Sequence, residues 1–253
     1  RGQRVGACTD CRRFWGSYRA GAIDEAEIAE ISGELVASVG TCSVMGTAST
    51  MACIAEALGI ALPGSASPPA VTADRMRIAE KSGATAVAMI AQKLTPEKIL
   101  TPHAIENALR VLLAIGGSTN GLIHLTALAG RLGIAIDFEA FDALSRETPV
   151  LVDLKPTGTG YMEDFHHAGG LTAVLRELRP LLHLDAPTVT GRTLGEELDD
   201  SPVLHVPGYR DDDFLRAVLL RKMAEDRLPT EGLDRFTASQ DGAPERMIGP
   251  DAG

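Results

Sequence analysis

Gly40-Thr41-Cys42-Ser43-Val44-Met45-Gly46-Thr47-Ala48-Ser49-Thr50-Met51 is the stretch on which the reading of this chain turns. Small residues flank the thiol, so the backbone there can approach a bulky ligand closely. Met51, Ile54, Ala55 and Leu58 then recur at helical spacing, and Gly59 supplies a stop. A tight turn leading into an apolar helix is the prediction. Amides left unpaired at the helix start, with the helix dipole behind them, favour a thiolate at Cys42. The same residues also describe a free cysteine buried in a tightly packed turn. Spacing alone does not choose between the two.

Around this turn, 253 residues fit one large domain, or one domain and part of a second. The composition is 45% hydrophobic but only 4% aromatic, so the core must come from Ala, Leu, Ile and Val. A net charge of −10 argues against nucleic acid or an anionic membrane surface as partner. No apolar run approaches the roughly 20 residues needed to span a bilayer, and the start carries no signal-peptide pattern. Four cysteines make no disulfide scaffold at this length; they fit a cytoplasmic, reduced or metal-binding set. The chain opens at Arg1 in an already organised stretch, read here as a piece of a longer protein or a trimmed form.

Upstream of the turn, Cys8-Thr9-Asp10-Cys11 is a C-x-x-C with no second copy. Such a pair could hold half of a zinc or iron–sulfur site. The plainer reading is a helix with Phe14 and Trp15 as core anchors. Asp24 is an N-cap for a helix buried along Ile28, Ile31, Leu35 and Val36. Cys53, inside the helix after the turn, is expected to be a small core residue.

Downstream, residues 62–69 are a loop on composition. Asp74 to Lys81 reads as helix with Gly83 as its stop; 84–90 reads equally as more helix or as a short buried strand. Thr95-Pro96 and Thr101-Pro102 each open a helix, the second with Ile105, Leu109, Leu112 and Leu113 inward. Ala114-Ile115-Gly116-Gly117-Ser118-Thr119-Asn120 then leads into another apolar helix. A Gly-Gly-Ser-Thr turn at a helix start offers amides and hydroxyls to an anion, although capping alone also explains every residue. His124 on that helix is expected as a hydrogen-bonded core histidine.

Residues 150–154 read as a buried strand between helices, which favours a layered α/β arrangement. Glu163, Asp164, His166 and His167 form a dense set of donors, read as a solvated helix start. Leu171, Val174, Leu175, Leu178 and Leu182 mark a strongly amphipathic helix. The composition changes at Asp185: 188–193 suggests a strand or turn, 194–198 a short helix, and 216–225 a further helix. Residues 238–253 are polar and expected to be loose.

Three blocks, in this order, resemble the dihydroxy-acid dehydratase family, which includes the sugar-acid and phosphogluconate dehydratases. They are Gly40-Thr41-Cys42 through Leu58-Gly59 and on to Leu62-Pro63-Gly64-Ser65; Ala114 to Asn120 with Ile123-His124-Leu125; and Met162-Glu163-Asp164-Phe165 with Ala168-Gly169-Gly170-Leu171 and Thr188-Val189-Thr190-Gly191. The resemblance covers about residues 1 to 200 and fades beyond. It implies a layered α/β/α N-terminal-type domain over 1–185, incomplete at its start, with 186–253 a linker and a truncated or divergent segment.

The family's reaction removes water from a 2,3-dihydroxy acid and yields a 2-keto acid. The resemblance implies an iron–sulfur cluster, 2Fe-2S rather than 4Fe-4S, acting as Lewis acid on the leaving hydroxyl, with Mg2+ near the carboxylate. Residue by residue, Cys42 matches the last of three cluster cysteines. The Cys-Asp-Lys motif that carries magnesium ligands has no counterpart here, nor do the downstream magnesium glutamate and catalytic serine. No catalytic residue is therefore assigned within the chain. Ser118, Thr119 and Asn120 become expected pocket residues, and the histidines of 163–167 stay structural. The stretches 6–21 and 46–50 lean towards the sugar-acid branch, hence a small sugar acid or dihydroxy acid as ligand. A homo-oligomer is the family expectation. The alternatives are the branched-chain biosynthetic dehydratase, a non-catalytic remnant of the fold, and a small metal- or anion-binding domain using Cys8, Cys11 and Cys42.

Overall fold

The computed structural model describes residues 5, 7–36, 39–40 and 42–201, for residues 7–9 the backbone alone. The helix expected at 216–225 and the loose end at 238–253 lie outside them. The described part is built from α1 (Ala7–Arg19), α2 (Glu25–Glu34), α3 (Thr47–Ala57), α4 (Ala73–Gln92), α5 (Pro96–Ile99), α6 (Pro102–Ala114), α7 (Thr119–Arg131), α8 (Phe138–Glu147), α9 (Met162–His167), α10 (Gly170–Glu177) and α11 (Leu194–Asp200). No helix among the described residues is long and apolar enough to cross a membrane.

Local chemistry sets most of these boundaries. Asp24, Thr101, Ser118, Asp137 and Thr193 each accept a first-turn amide hydrogen bond, satisfying donors that the helix itself leaves open. Proline follows Thr95 and Thr101 at the first helical position, where its missing N–H costs nothing. Gly83 does not stop α4, which runs on through residues 84–90 to Gln92 and closes on Lys93 in the left-handed region. A helix-interior glycine costs about 1 kcal/mol, too little to break twenty residues of otherwise favourable backbone.

Packing centres on α3. It lies against α6, α7 and α10, and α6 in turn touches α7, α8 and α10. Ile54, Leu58, Ile105, Leu109, Leu112 and Leu125 fill the seam between α3, α6 and α7. On the other side of α3, Cys53 and Ala57 join Phe165, Leu171, Val174, Leu175 and Leu178. The stripe expected along α10 is thus buried, and Cys53 is a core residue. Burial pushes its thiol far above the ordinary cysteine range, with Glu56 adding to the effect.

The α/β arrangement is weighted almost wholly to helix. Leu151, Val152 and Leu154 are buried as predicted, but 150–154 has no strand partner among the described residues. Leu151 N–H donates to Ala114 O at 2.8 Å, at the end of α6, and Leu154 forms a lone parallel bridge with Gly160. One further bridge, Pro187 with Thr193, is the other isolated β pairing recorded among the described residues. Residues 186–201 pack onto the helices: Val189 N–H donates to Gly59 O at 2.7 Å, and Leu194 and Leu198 join the core.

Two apolar expectations fail at the surface. Trp15 and Val36 are exposed, at 39% and 59%. α1 packs along α2, and Trp15 meets Tyr18 edge-on at 5.7 Å instead of entering the core. His124 is likewise exposed, not buried; on α7 the inward positions are Gly121, Leu125 and Ala129.

Glu56 of α3 is buried, and its two carboxylate oxygens accept the amides of Gly64 and Ala66, each at 2.8 Å. Desolvation raises its pKa to about 7 against the downward pull of those amides. The folded protein therefore holds this proton more tightly than the unfolded chain, whose value is 4.5. The resulting stability is full below the unfolded value and is lost as pH rises to about 7. At ~1.4 kcal/mol per unit, the loss is about 3 kcal/mol. Urea unfolding of Glu56→Gln across this range will lack that pH-dependent component; a slope equal to that of the parent chain would contradict the assignment.

Candidate functional site

Two turns far apart in the sequence meet at the starts of α3 and α7. Ser49, in the first turn of α3 and fully buried, donates its hydroxyl hydrogen to Val44 O at 3.0 Å, with Cys42 O at 3.4 Å. Met45 N–H donates to Lys155 O, and Met162 N–H donates to Ser43 O, each at 2.8 Å. The cysteine turn is therefore held by its own helix on one side and by the 155–162 segment on the other. Cys42 itself is half-buried. Gly46 at the N-cap has no side chain to give to the first amides of α3.

Thr47 joins this helix start to the second turn. Its Oγ1 lies 3.1 Å from Ser118 Oγ and accepts from Asn120 Nδ2 at 2.9 Å. One turn further on, buried Thr50 accepts the Ser118 amide at 3.0 Å. Ser118 Oγ in turn accepts the Asn120 amide, capping α7. The helices approach closely here. A Cβ on Gly121 would stand 2.8 Å from Leu112 Cδ1 and 3.1 Å from Thr50 Cγ2, and one on Gly117 would stand 2.9 Å from Thr50 Cγ2. Only glycine lets the two starts lie side by side without moving those side chains.

Ser118 is half-buried, while Thr119 and Asn120 are exposed. The expected pocket residues thus sit on one rim, and the structure adds Thr47 and Thr50 as the groups that fix it. Both lie within the opening stretch, where sequence spacing marks them only as helix positions. Chemically, two helix starts with hydroxyl and carboxamide groups between them present donors and partial positive charge to an anion.

Among the other sequence candidates, Asp164 and His166 make bonds that hold the fold. Asp164 Oδ2 accepts the Tyr161 amide at 2.9 Å, closing the start of α9. His166 Nδ1 lies 3.2 Å from Ser67 Oγ, and burial, reinforced by His167, lowers its pKa. Cys11 is half-buried on α1; the side chain of Cys8 lies outside the described residues. Next to Cys11, buried Asp10 takes Arg13 at 2.9 Å and Lys155 Nζ at 3.3 Å, tying α1 to the segment that holds the cysteine turn.

Comparison with known proteins fits this arrangement. Residues 2–197 match the model of the dihydroxy-acid/6-phosphogluconate dehydratase N-terminal domain. The chain belongs to this dehydratase family. Dihydroxy-acid dehydratase 1 of Methanosarcina acetivorans is 46% identical over 190 residues, 75% of this chain and 34% of that protein. The dihydroxy-acid dehydratase of Caldanaerobacter subterraneus is 43% identical over 205 residues, 80% of this chain and 36% of that protein. The 6-deoxy-6-sulfo-D-gluconate dehydratase of Pseudomonas putida is 38% identical over 243 residues, 96% of this chain and 41% of that protein. That last likeness continues past residue 200, further than the motif blocks reach. The chain thus spans about a third to two-fifths of the length of these dehydratases.

The family's cluster can be tested against the donors present. Cys42 could occupy one corner: the residue is half-buried, on a backbone held through Ser49 and Met162. Cys53 does not fit, being sealed in the core with its thiol held protonated. An iron–sulfur cluster needs several thiolates, so Cys42 alone would not hold one.

Thr50→Val keeps the shape of the side chain but leaves the Ser118 amide without its acceptor. We expect a loss of about 1–3 kcal/mol in urea unfolding, largely restored in Thr50→Ser. A Thr50→Val chain as stable as the parent would show that this bond does not hold the two turns together.

Proposed function

We propose that this chain forms the N-terminal-domain part of a hydro-lyase that removes water from a 2,3-dihydroxy acid. The preferred substrate is an aldonic sugar acid, and the product a 2-keto-3-deoxy acid. The observation that carries the reading is the junction of the Cys42 turn and the Ser118–Asn120 turn through Thr47 and Thr50 in a dehydratase-family chain. In this reading Cys42 is one thiolate ligand of an iron–sulfur cluster, of the 2Fe-2S type. The bound cluster supplies a Lewis acid for a poor leaving group, hydroxide. Magnesium joins it at the carboxylate, held by ligands outside this chain.

The chain's own residues orient the acid. Ser118, Thr119 and Asn120 hydrogen-bond its hydroxyls, and the amides at the starts of α3 and α7 favour its carboxylate. Thr47 keeps Ser118 and Asn120 at a fixed spacing, so the substrate meets a preorganised rim. The sugar-acid preference is supported by the likeness to the sulfogluconate dehydratase, which runs over 96% of the chain. A branched-chain dihydroxy acid is the second reading, favoured by the higher identity, 46%, to a dihydroxy-acid dehydratase. The proposed setting is the cytoplasm, and the proposed assembly a homo-oligomer.

Anaerobic treatment of the 253-residue chain with iron and sulfide is the test. Visible absorbance that is lost in Cys42→Ala and kept in Cys8→Ala and Cys11→Ala supports the assignment. The reverse pattern overturns it in favour of a C-x-x-C metal domain. On its own the chain is expected to give no 2-keto acid from aldonic acids, because one cluster ligand and no catalytic base fall within it.

A further inference from the structure

At the opposite end of α6 from the Ser118 turn, two histidines and two carboxylates converge. The ends are separated by roughly 20 Å, at ~1.5 Å per residue over the helix. His103 and Glu106 occupy the first turns of α6; His183 and Asp185 come from the loop after α10. The imidazoles of His103 and His183 stack with centroids 4.0 Å apart and planes 7° apart. His103 Nδ1 lies 3.3 Å from Asp185 Oδ1, and His183 Nε2 lies 2.9 Å from Glu106 Oε2. One donor atom from each of His103, His183 and Asp185 falls within 4.8 Å of the others.

Position and chemistry both separate this cluster from an ordinary surface ion pair. Buried Asn107 grips the backbone of His183 from both sides: its Nδ2 donates to His183 O at 2.9 Å, and its Oδ1 accepts from His183 N at 2.8 Å. The imidazole of His183 is therefore placed by a fixed main chain. Its Nε2 is shielded from solvent and lies 2.9 Å from Glu106 Oε2, which holds the ring in place.

We propose that His103, His183 and Asp185 bind a divalent first-row transition ion of the zinc type. Imidazole and carboxylate donors suit Zn2+, Co2+ and Ni2+ and suit Mg2+ poorly. A metal bonds in the plane of each imidazole, and parallel planes 4.0 Å apart do not meet, so binding turns one ring out of the stack. His103 and Asp185 are the exposed members and move; His183 stays anchored.

The test is titration of the full 253-residue chain with Co2+, followed by displacement with Zn2+. We expect saturation at about one equivalent, with visible ligand-field bands and no thiolate charge-transfer band. Affinity should fall at least about tenfold in His103→Ala and in Asp185→Asn. Both replacements are at exposed positions and leave the core intact. Cys8→Ser, Cys11→Ser and Cys42→Ser should bind as the parent does. Absence of saturable binding, a thiolate band abolished by the cysteine variants, or affinity unchanged in His103→Ala and Asp185→Asn would each overturn the proposal.

Discussion

The bond on which this arrangement depends is the one from the Ser118 amide to the hydroxyl of Thr50, 3.0 Å long and buried on the α3 side. It couples a first-turn residue of one helix to the cap of another, 68 residues later in the chain. Thr47 repeats the connection one turn closer to the surface. The glycines at 117 and 121 make it possible, since a side chain at either would press on Thr50 or Leu112. Packing, capping and the rim of the candidate site are thus one construction. A change at Thr50 acts on the core and on Ser118 together.

α3 carries this coupling because every face of it is used. Cys53 and Ala57 face α10, Ile54 and Leu58 face α6 and α7, Ser49 holds the cysteine turn, and Glu56 holds the loop at 64–66. A buried carboxylate is an expensive anchor. It holds a loop of small residues whose amides would otherwise be buried without acceptors.

Much of this was legible in the sequence. The caps at Asp24, Thr101 and Ser118 and the buried stripes of α6 and α10 follow from residue type and period, and the structure has them. Three motif blocks in order also pointed to the dehydratase family, which the match over 2–197 shows. What sequence reasoning missed depended on partners. Trp15 has the chemistry of a core anchor, but its helix packs along α2 and leaves it 39% exposed. The segment at 150–154 has strand chemistry and burial, yet the Leu151 amide goes to the end of α6, and the carbonyls of Asp153 and Leu154 accept from the amides of a turn. The links from Thr47 and Thr50 to residues 118–120 have no local signature, because hydroxyl pairs distant in sequence show no periodicity.

α6 explains how the two ends of the molecule are made rigid together. Near its C-terminal end, Leu112 packs where Gly117 and Gly121 bring α7 close, and Leu151 takes the carbonyl of Ala114. Near its N-terminal end, Asn107 fixes the main chain of His183. Arg110, also buried, pairs with Glu106 and Glu147 between them. A helix buried over most of its surface cannot slide without breaking polar contacts at both ends, and its core neighbours are close-packed. Displacement of the His183 loop is therefore resisted by the same helix that positions the Ser118 turn.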